Sequence, residues 1–124
     1  MNNYNWEDKT IIIAEDIETS KQYFSAALRR TNIKILWART GLEAIEINKQ
    51  NEIDLILMDL DLPVMNGLIA AKLIRETHPD LPIIAQTAHV QNTDNAESNN
   101  AGCNAFLTKP IALNVLLSTL ARYL

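Results

Sequence analysis

A doubly wound α/β domain on a parallel sheet, (βα)5, is what this sequence predicts, and three observations carry the prediction. Five short apolar runs recur along the chain, stretches of helical character alternate with them, and the connections are short. Strands alternating with helices pair in parallel and cover both faces of their sheet. At 124 residues the chain has room for one such domain and no more.

The elements follow in order. Thr10-Ile11-Ile12-Ile13-Ala14 is apolar without alternation and rich in β-branched residues, as in a strand buried on both faces. Residues 17–30 carry Tyr23, Ala26, Ala27 and Arg30 at helical spacing, with Arg29 and Arg30 at the end where cations suit the helix dipole. Ile33-Lys34-Ile35-Leu36-Trp37 alternates and predicts a more exposed strand. Residues 41–50 place Leu42, Ala44, Ile45 and Ile47 to one side. Asp54-Leu55-Ile56-Leu57-Met58 is the third run, followed by a helix over 66–77 with Leu68, Ala71, Leu73 and Ile74, which Pro79 closes. Pro82-Ile83-Ile84-Ala85-Gln86 is the fourth run, its proline tolerated at a strand start. Residues 90–101 are rich in Asn, Thr and Asp, which predicts a marginal, bistable helix. Ala105-Phe106-Leu107 is a short fifth strand. Residues 112–123 then place Leu113, Leu116, Leu117 and Leu120 at i, i+3, i+4 and i+7, the clearest amphipathic pattern present.

Composition narrows the class. Eleven Lys+Arg against fifteen Asp+Glu give a net charge of −4, which argues against a nucleic-acid-coating surface. The single cysteine, Cys103, has no internal partner and predicts a reducing, cytoplasmic setting and a small buried side chain. No apolar run approaches the roughly 20 residues that span a bilayer, and the first eight residues lack a secretory pattern. Residues 1–9 read as an extension or linker ahead of a domain over 10–124.

In open parallel sheets, sites form beyond the carboxyl ends of the strands. Glu15 and Asp16 follow the first run, Asp59 and Asp61 the third, Thr87 the fourth, and Thr108, Lys109 and Pro110 the fifth. Crowded carboxylates repel, and a divalent cation relieves that. An all-oxygen set without His or Cys favours Mg2+ or Mn2+. Lysine and threonine add donors for a phosphoryl oxygen, and an aspartate can act as nucleophile. Together these groups predict phosphoryl transfer onto a carboxylate. Singly they have plain alternatives: Glu15-Asp16 as a dipole-favoured acidic pair, Asp59 and Asp61 as turn residues, Thr87 as a cap, and Lys109 as a solvated charge.

Glu15-Asp16, Met58-Asp59-Leu60-Asp61-Leu62-Pro63-Val64-Met65-Asn66-Gly67, Thr87-Ala88 and Phe106-Leu107-Thr108-Lys109-Pro110 resemble the receiver domains of two-component response regulators in order and spacing, over residues 10–124. The resemblance implies the flavodoxin-like receiver fold with strand order 2-1-3-4-5. It implies Asp59 as phosphoacceptor from a histidine kinase or a histidine phosphotransfer protein. Asp16 and Asp59 would be direct Mg2+ ligands, Glu15 a direct or water-mediated one, and Asp61 a ligand through its carbonyl. It further implies Thr87, Ala88 and Lys109 around the phosphoryl group, a cis Lys109-Pro110 bond, and Thr87 with Phe106 as the switch pair. The switched surface would comprise the 90–101 helix, the fifth strand and the last helix.

Some positions depart from the commonest pattern. Phe106 stands where many receivers have tyrosine, and Glu15 replaces the first aspartate of the pair. By the resemblance, Asp61 and His89 sit at the two variable positions that border the phosphoryl site in the family, where they would tune phosphate lifetime. Gln86-Thr87-Ala88-His89 and Lys109-Pro110-Ile111 look most like receivers of hybrid sensor histidine kinases, so a fragment of such a kinase is expected, with a stand-alone regulator as the alternative. The isolated domain is then no enzyme beyond its own phosphorylation and dephosphorylation. Direct nucleic-acid or membrane contact is not expected. Aspartate-nucleophile phosphatases of the haloacid dehalogenase class are a rival, but they need an acidic pair after the lysine, and no Asp or Glu follows Lys109. A pseudo-receiver docking module is the other rival, which the full acid, hydroxyl and lysine set opposes. His78 reads as a solvated helix-end residue, and Trp6 and Trp37 as packing or surface residues.

Overall fold

The computed structural model describes residues 4–88 and 102–124. Its elements run β1 (Thr10–Ala14), α1 (Glu18–Leu28), a 3-10 turn (Arg29–Thr31), β2 (Lys34–Ala38), α2 (Gly41–Gln50), β3 (Leu55–Asp59), α3 (Gly67–Thr77), β4 (Ile83–Thr87), β5 (Ala105–Thr108) and α4 (Leu113–Tyr123). All strand pairs are parallel, in the order β2-β1-β3-β4-β5. The expected helix at 90–101 and the expected site residue His89 lie outside the described residues.

The pleat sorts each strand onto two cores. Ile12, Ala14, Ile56, Met58, Ile83 and Ala85 face α2 and α3. Ile11, Ile13, Leu55, Leu57, Ile84 and Leu107 face α1 and α4. Residues with no polar face, such as those of β1 and β3, are what a sheet covered on both sides requires. Edge strand β2 is only partly covered, in keeping with its alternation.

Helix orientation corrects the sequence reading on α1, α2 and α3. On α1 the inward residues are Phe24 and Leu28, one turn apart, with Ala27 beside them. Tyr23, Ala26 and Arg30 lie on the exposed side. The tyrosine stays at the rim because its hydroxyl donates to the carbonyl of Ile111 at 2.6 Å. Leu42 of α2 and Leu73 of α3 are also largely exposed. Small residues line the contact instead, because α2 and α3 approach closely: a Cβ on Gly41 would lie 2.4 Å from the Met65 carbonyl oxygen and 2.9 Å from the Ala70 side chain. Thr40 and Asn66 cap α2 and α3, accepting from the amides of Glu43 and Ile69.

Two ties hold the ends of the fold. Ahead of β1, the Trp6 amide donates to Thr31 at 2.6 Å, and its ring is buried in the α1/α4 core and stacks on Tyr4 with centroids 4.9 Å apart. At the far side, the Arg75 guanidinium donates to the carbonyl oxygens of Gly102, His78 and Pro79 and to Asn104 Oδ1, pinning the end of α3 to the approach to β5. Cys103 sits buried next to this clamp, and burial pushes its thiol up to about 11. No helix among the described residues is long and apolar enough to cross a membrane.

Candidate functional site

The carboxyl ends of β1, β3, β4 and β5 gather the polar residues that the apolar runs exclude. Glu15 follows β1 directly and is fully buried, its amide donating to Ala38 and its Oε2 accepting from the Ile17 amide. Asp16, the next residue, is exposed. Asp59 is the last residue of β3 and only 1% exposed. Carboxylate oxygens of Glu15, Asp16 and Asp59 lie within 4.8 Å of one another.

Lys109 reaches across from the end of β5. Its Nζ donates to Asp59 Oδ2 at 2.8 Å and lies 3.3 Å from Glu15 Oε1, an ion pair without hydrogen-bond geometry. Asp59 Oδ1 accepts from the Asp61 amide at 2.9 Å, so both oxygens of this carboxylate are held. Burial raises the Glu15 carboxyl above its usual range, with the negative charge of Asp59 adding to it against the Ile17 amide and Lys109, which pull it down. For Lys109, burial works against the charge, but the hydrogen bond and charge of Asp59, with Glu15 behind them, outweigh it and the net shift is upward.

One ammonium cannot balance three carboxylates, two of them buried. Oxygen ligands converging from one face are the donor set of a hard divalent cation, and Glu15 Oε1 is buried with no hydrogen-bond partner, as a ligand atom awaiting one would be. These residues therefore fit Mg2+ or Mn2+.

The remaining expected site residues fall around this cluster. Thr87 ends β4, 2% exposed, and its carbonyl accepts from the Lys109 amide at 2.7 Å. Strand alternation puts its side chain on the α2/α3 face with Ala85, the core against which the half-buried Phe106 also packs. Ala88 is exposed and lines a cavity of about 480 Å³ together with Lys109, Phe24, Gln86 and Pro110. The Lys109-Pro110 peptide is cis. Asp61 is exposed, with its amide committed to Asp59. Gly67 begins α3 directly beneath the site: a Cβ there would lie 2.1 Å from the Asp59 carbonyl oxygen, a space only hydrogen can occupy.

One residue of this edge went unweighted in the sequence. Gln86 is fully buried in β4, and neither its Oε1 nor its Nε2 has a hydrogen-bond partner. The signal was there to read: it is the one polar residue in an otherwise apolar run, Ile83-Ile84-Ala85-Gln86.

Comparison with known proteins places this geometry in context. Residues 11–121 match the response regulator receiver domain family. The polar-differentiation response regulator DivK of Brucella ovis is 31% identical over 118 residues, covering 94% of this chain and 96% of DivK. The receiver domain of the Pseudomonas aeruginosa sensor histidine kinase PA1611, solved with a magnesium ion in its active-site cleft, superimposes with a TM-score of 0.85 at 32% identity, covering 93% and 96% of the two chains. The receiver of Saccharomyces cerevisiae Ssk1, solved with the histidine phosphotransfer protein Ypd1, gives a TM-score of 0.87 at 31% identity, covering 93% and 88%.

Proposed function

The chain belongs to the response regulator receiver domain family of two-component signalling, and from that membership we propose that Asp59 is its phosphoacceptor, charged from a phosphohistidine of a kinase or phosphotransfer protein. The observation that carries this is the 2.8 Å contact of Lys109 with a buried Asp59, inside a carboxylate cluster drawn from separate strands.

The transfer is a displacement at phosphorus. A bond forms from an Asp59 carboxylate oxygen to phosphorus as the nitrogen–phosphorus bond of the donor breaks, and the departing imidazole takes the electron pair and then a proton. Asp59 is oriented for this by the Asp61 amide and Lys109. A divalent cation held by Glu15, Asp16, Asp59 and the Asp61 carbonyl would supply charge neutralisation for the carboxylates and the phosphoryl oxygens. Lys109 then shifts its ammonium from the carboxylate to a phosphoryl oxygen, and Thr87 and Ala88 offer hydroxyl and backbone donors to the others.

Signalling follows if Thr87 turns toward the phosphoryl group and Phe106 moves into the space behind it. Partners that bind the two arrangements unequally would read the change on a surface that includes β5 and α4. Asp61, exposed beside Asp59, would set phosphate lifetime together with His89. The domain thus accepts and releases phosphate rather than turning over a substrate. The setting proposed is cytoplasmic, with the domain over 10–124 serving within a hybrid sensor kinase, as its likeness to the PA1611 receiver supports. A free-standing regulator is the second reading, favoured by the likeness to DivK, a response regulator.

The test is a titration with Mg2+ and beryllofluoride, a mimic of aspartyl phosphate, on wild type and Asp59→Ala, followed by amide resonances. Saturable shifts at Thr87 and Phe106 in wild type, abolished in Asp59→Ala, are expected. Silence in a folded wild type would replace the phosphoacceptor with a docking module.

A further inference from the structure

Gln86 is the only residue among those described with both a buried donor and a buried acceptor left without a partner. Buried amides are almost always paired, because leaving both ends unmade forfeits water without replacement. The positions before it in β4, Ile83, Ile84 and Ala85, are apolar and fully buried, so packing alone calls for another such residue here.

Its place in the sheet says what it serves. In the register, Gln86 lies directly opposite Asp59 on one side and Leu107 on the other. Leu57, Ile84 and Leu107 all face α1 and α4, so alternation sets Asp59 and Gln86 side by side on that same face. Lys109 is two residues beyond Leu107, its ammonium lies over this face against Asp59 and Glu15, and it lines the same cavity as Gln86. That cavity, at about 480 Å³, leaves a lysine side chain room to move.

In the arrangement described here, the Lys109 ammonium is committed to two carboxylates. Phosphorylation would end that: with a phosphoryl group on Asp59, the ammonium would give up its carboxylate contact and have three N–H donors to place. One meets the phosphoryl group. A neutral acceptor beside it can hold a second without competing for the charge, whereas a carboxylate would draw the lysine away.

We propose that Gln86 is a positioning residue whose Oε1 accepts a hydrogen bond from Lys109 Nζ in the phosphoryl-loaded site and aims the ammonium at the phosphoryl oxygen. The inference rests on the phosphoacceptor reading of Asp59.

The experiment uses the full chain as wild type and as Gln86→Met, which keeps the length of the side chain and removes its amide. Mg2+ and beryllofluoride are titrated while the Thr87 backbone amide and the Gln86 side-chain NH2 are followed together. In wild type both should move with one saturation curve. Gln86→Met should melt no lower than wild type without ligand, since the amide has no partner to lose, yet bind beryllofluoride about tenfold more weakly. No Thr87 shift in wild type would overturn the phosphoacceptor reading itself. A Thr87 shift with an unmoved Gln86 NH2, or equal affinity in Gln86→Met, would overturn the role of Gln86 alone and leave its amide to cavity water. Should Gln86→Met melt lower, its affinity is confounded by packing, and the wild-type NH2 response decides by itself.

Discussion

Lys109 carries two roles that pull apart experimentally. Without a cation it is the only positive charge in contact with the buried carboxylates of Glu15 and Asp59 among the described residues, so removing it strands both. Lys109→Met should therefore cost about 1–3 kcal/mol of metal-free stability, less than a fully buried pair because the lysine is partly in solvent. Urea denaturation measures this, and Mg2+ should restore much of it by taking the vacated charge role. Glu15 adds a pH dependence. Burial lifts its carboxyl above the ordinary value of 4.5, so the folded state keeps a proton that the unfolded chain has already lost. Metal-free stability accordingly falls as pH rises from about 4.5 through the raised value. Mg2+ needs the deprotonated form, so the melting-temperature gain it confers should fade on acidification starting above pH 4.5, and Glu15→Gln should remove that step. At this scale the sequence was legible wherever a polar residue abutted an apolar run, as with Glu15, Asp59 and Lys109. Gln86 was visible as the lone polar residue closing an apolar run, but its place beside Asp59 was not, because register between distant segments is not written in either one.

The strands were legible to within a residue at each end, because unbroken apolar runs suit strands covered on both faces, whereas α1 stops two residues short of the expected 17–30. The ends of β3, β4 and β5 extend one position further than those runs, since Asp59, Thr87 and Thr108 complete the strands with polar side chains. Helix orientation was less legible. On α1 Tyr23, Ala26 and Arg30 mimicked an inner stripe, whereas the core takes Phe24 and Leu28, one turn apart, with Ala27 beside them. On α2 and α3 the large leucines were misleading, because the close approach of the helices admits glycine and alanine. That closeness yields a prediction for the element that follows the site. Gly67→Ala would force its methyl group into the Asp59 carbonyl, displacing either α3 or the end of β3. A loss of about 1–3 kcal/mol is expected, with altered Asp59 and Asp61 amide shifts in the spectrum.

For the molecule as a whole, the two cores are separate and each needs its cover. Trp6 belongs to the α1/α4 core, buried to 7% exposure and fastened to Thr31, although it lies ahead of the first strand. Trp6→Ala should cost about 3–5 kcal/mol, read from urea denaturation. Its effect on beryllofluoride affinity should be small, since it precedes the amino end of β1 whereas the site is built at the carboxyl ends of the strands. The sheet between those cores is also a partition. Asp59 and Gln86 project to the α1/α4 side, while Thr87 and Phe106 belong to the α2/α3 side. The step from Gln86 to Thr87 thus crosses from the side that holds Asp59 to the side that holds the expected switch pair. A single-residue insertion or deletion within β4 would exchange the two projections, placing the hydroxyl among the carboxylates' neighbours and the amide in the opposite core. Length changes should therefore be far less tolerated in this strand than in the exposed turn around Val64, which makes the reading frame of β4, as much as its composition, a constraint on how this lineage can vary.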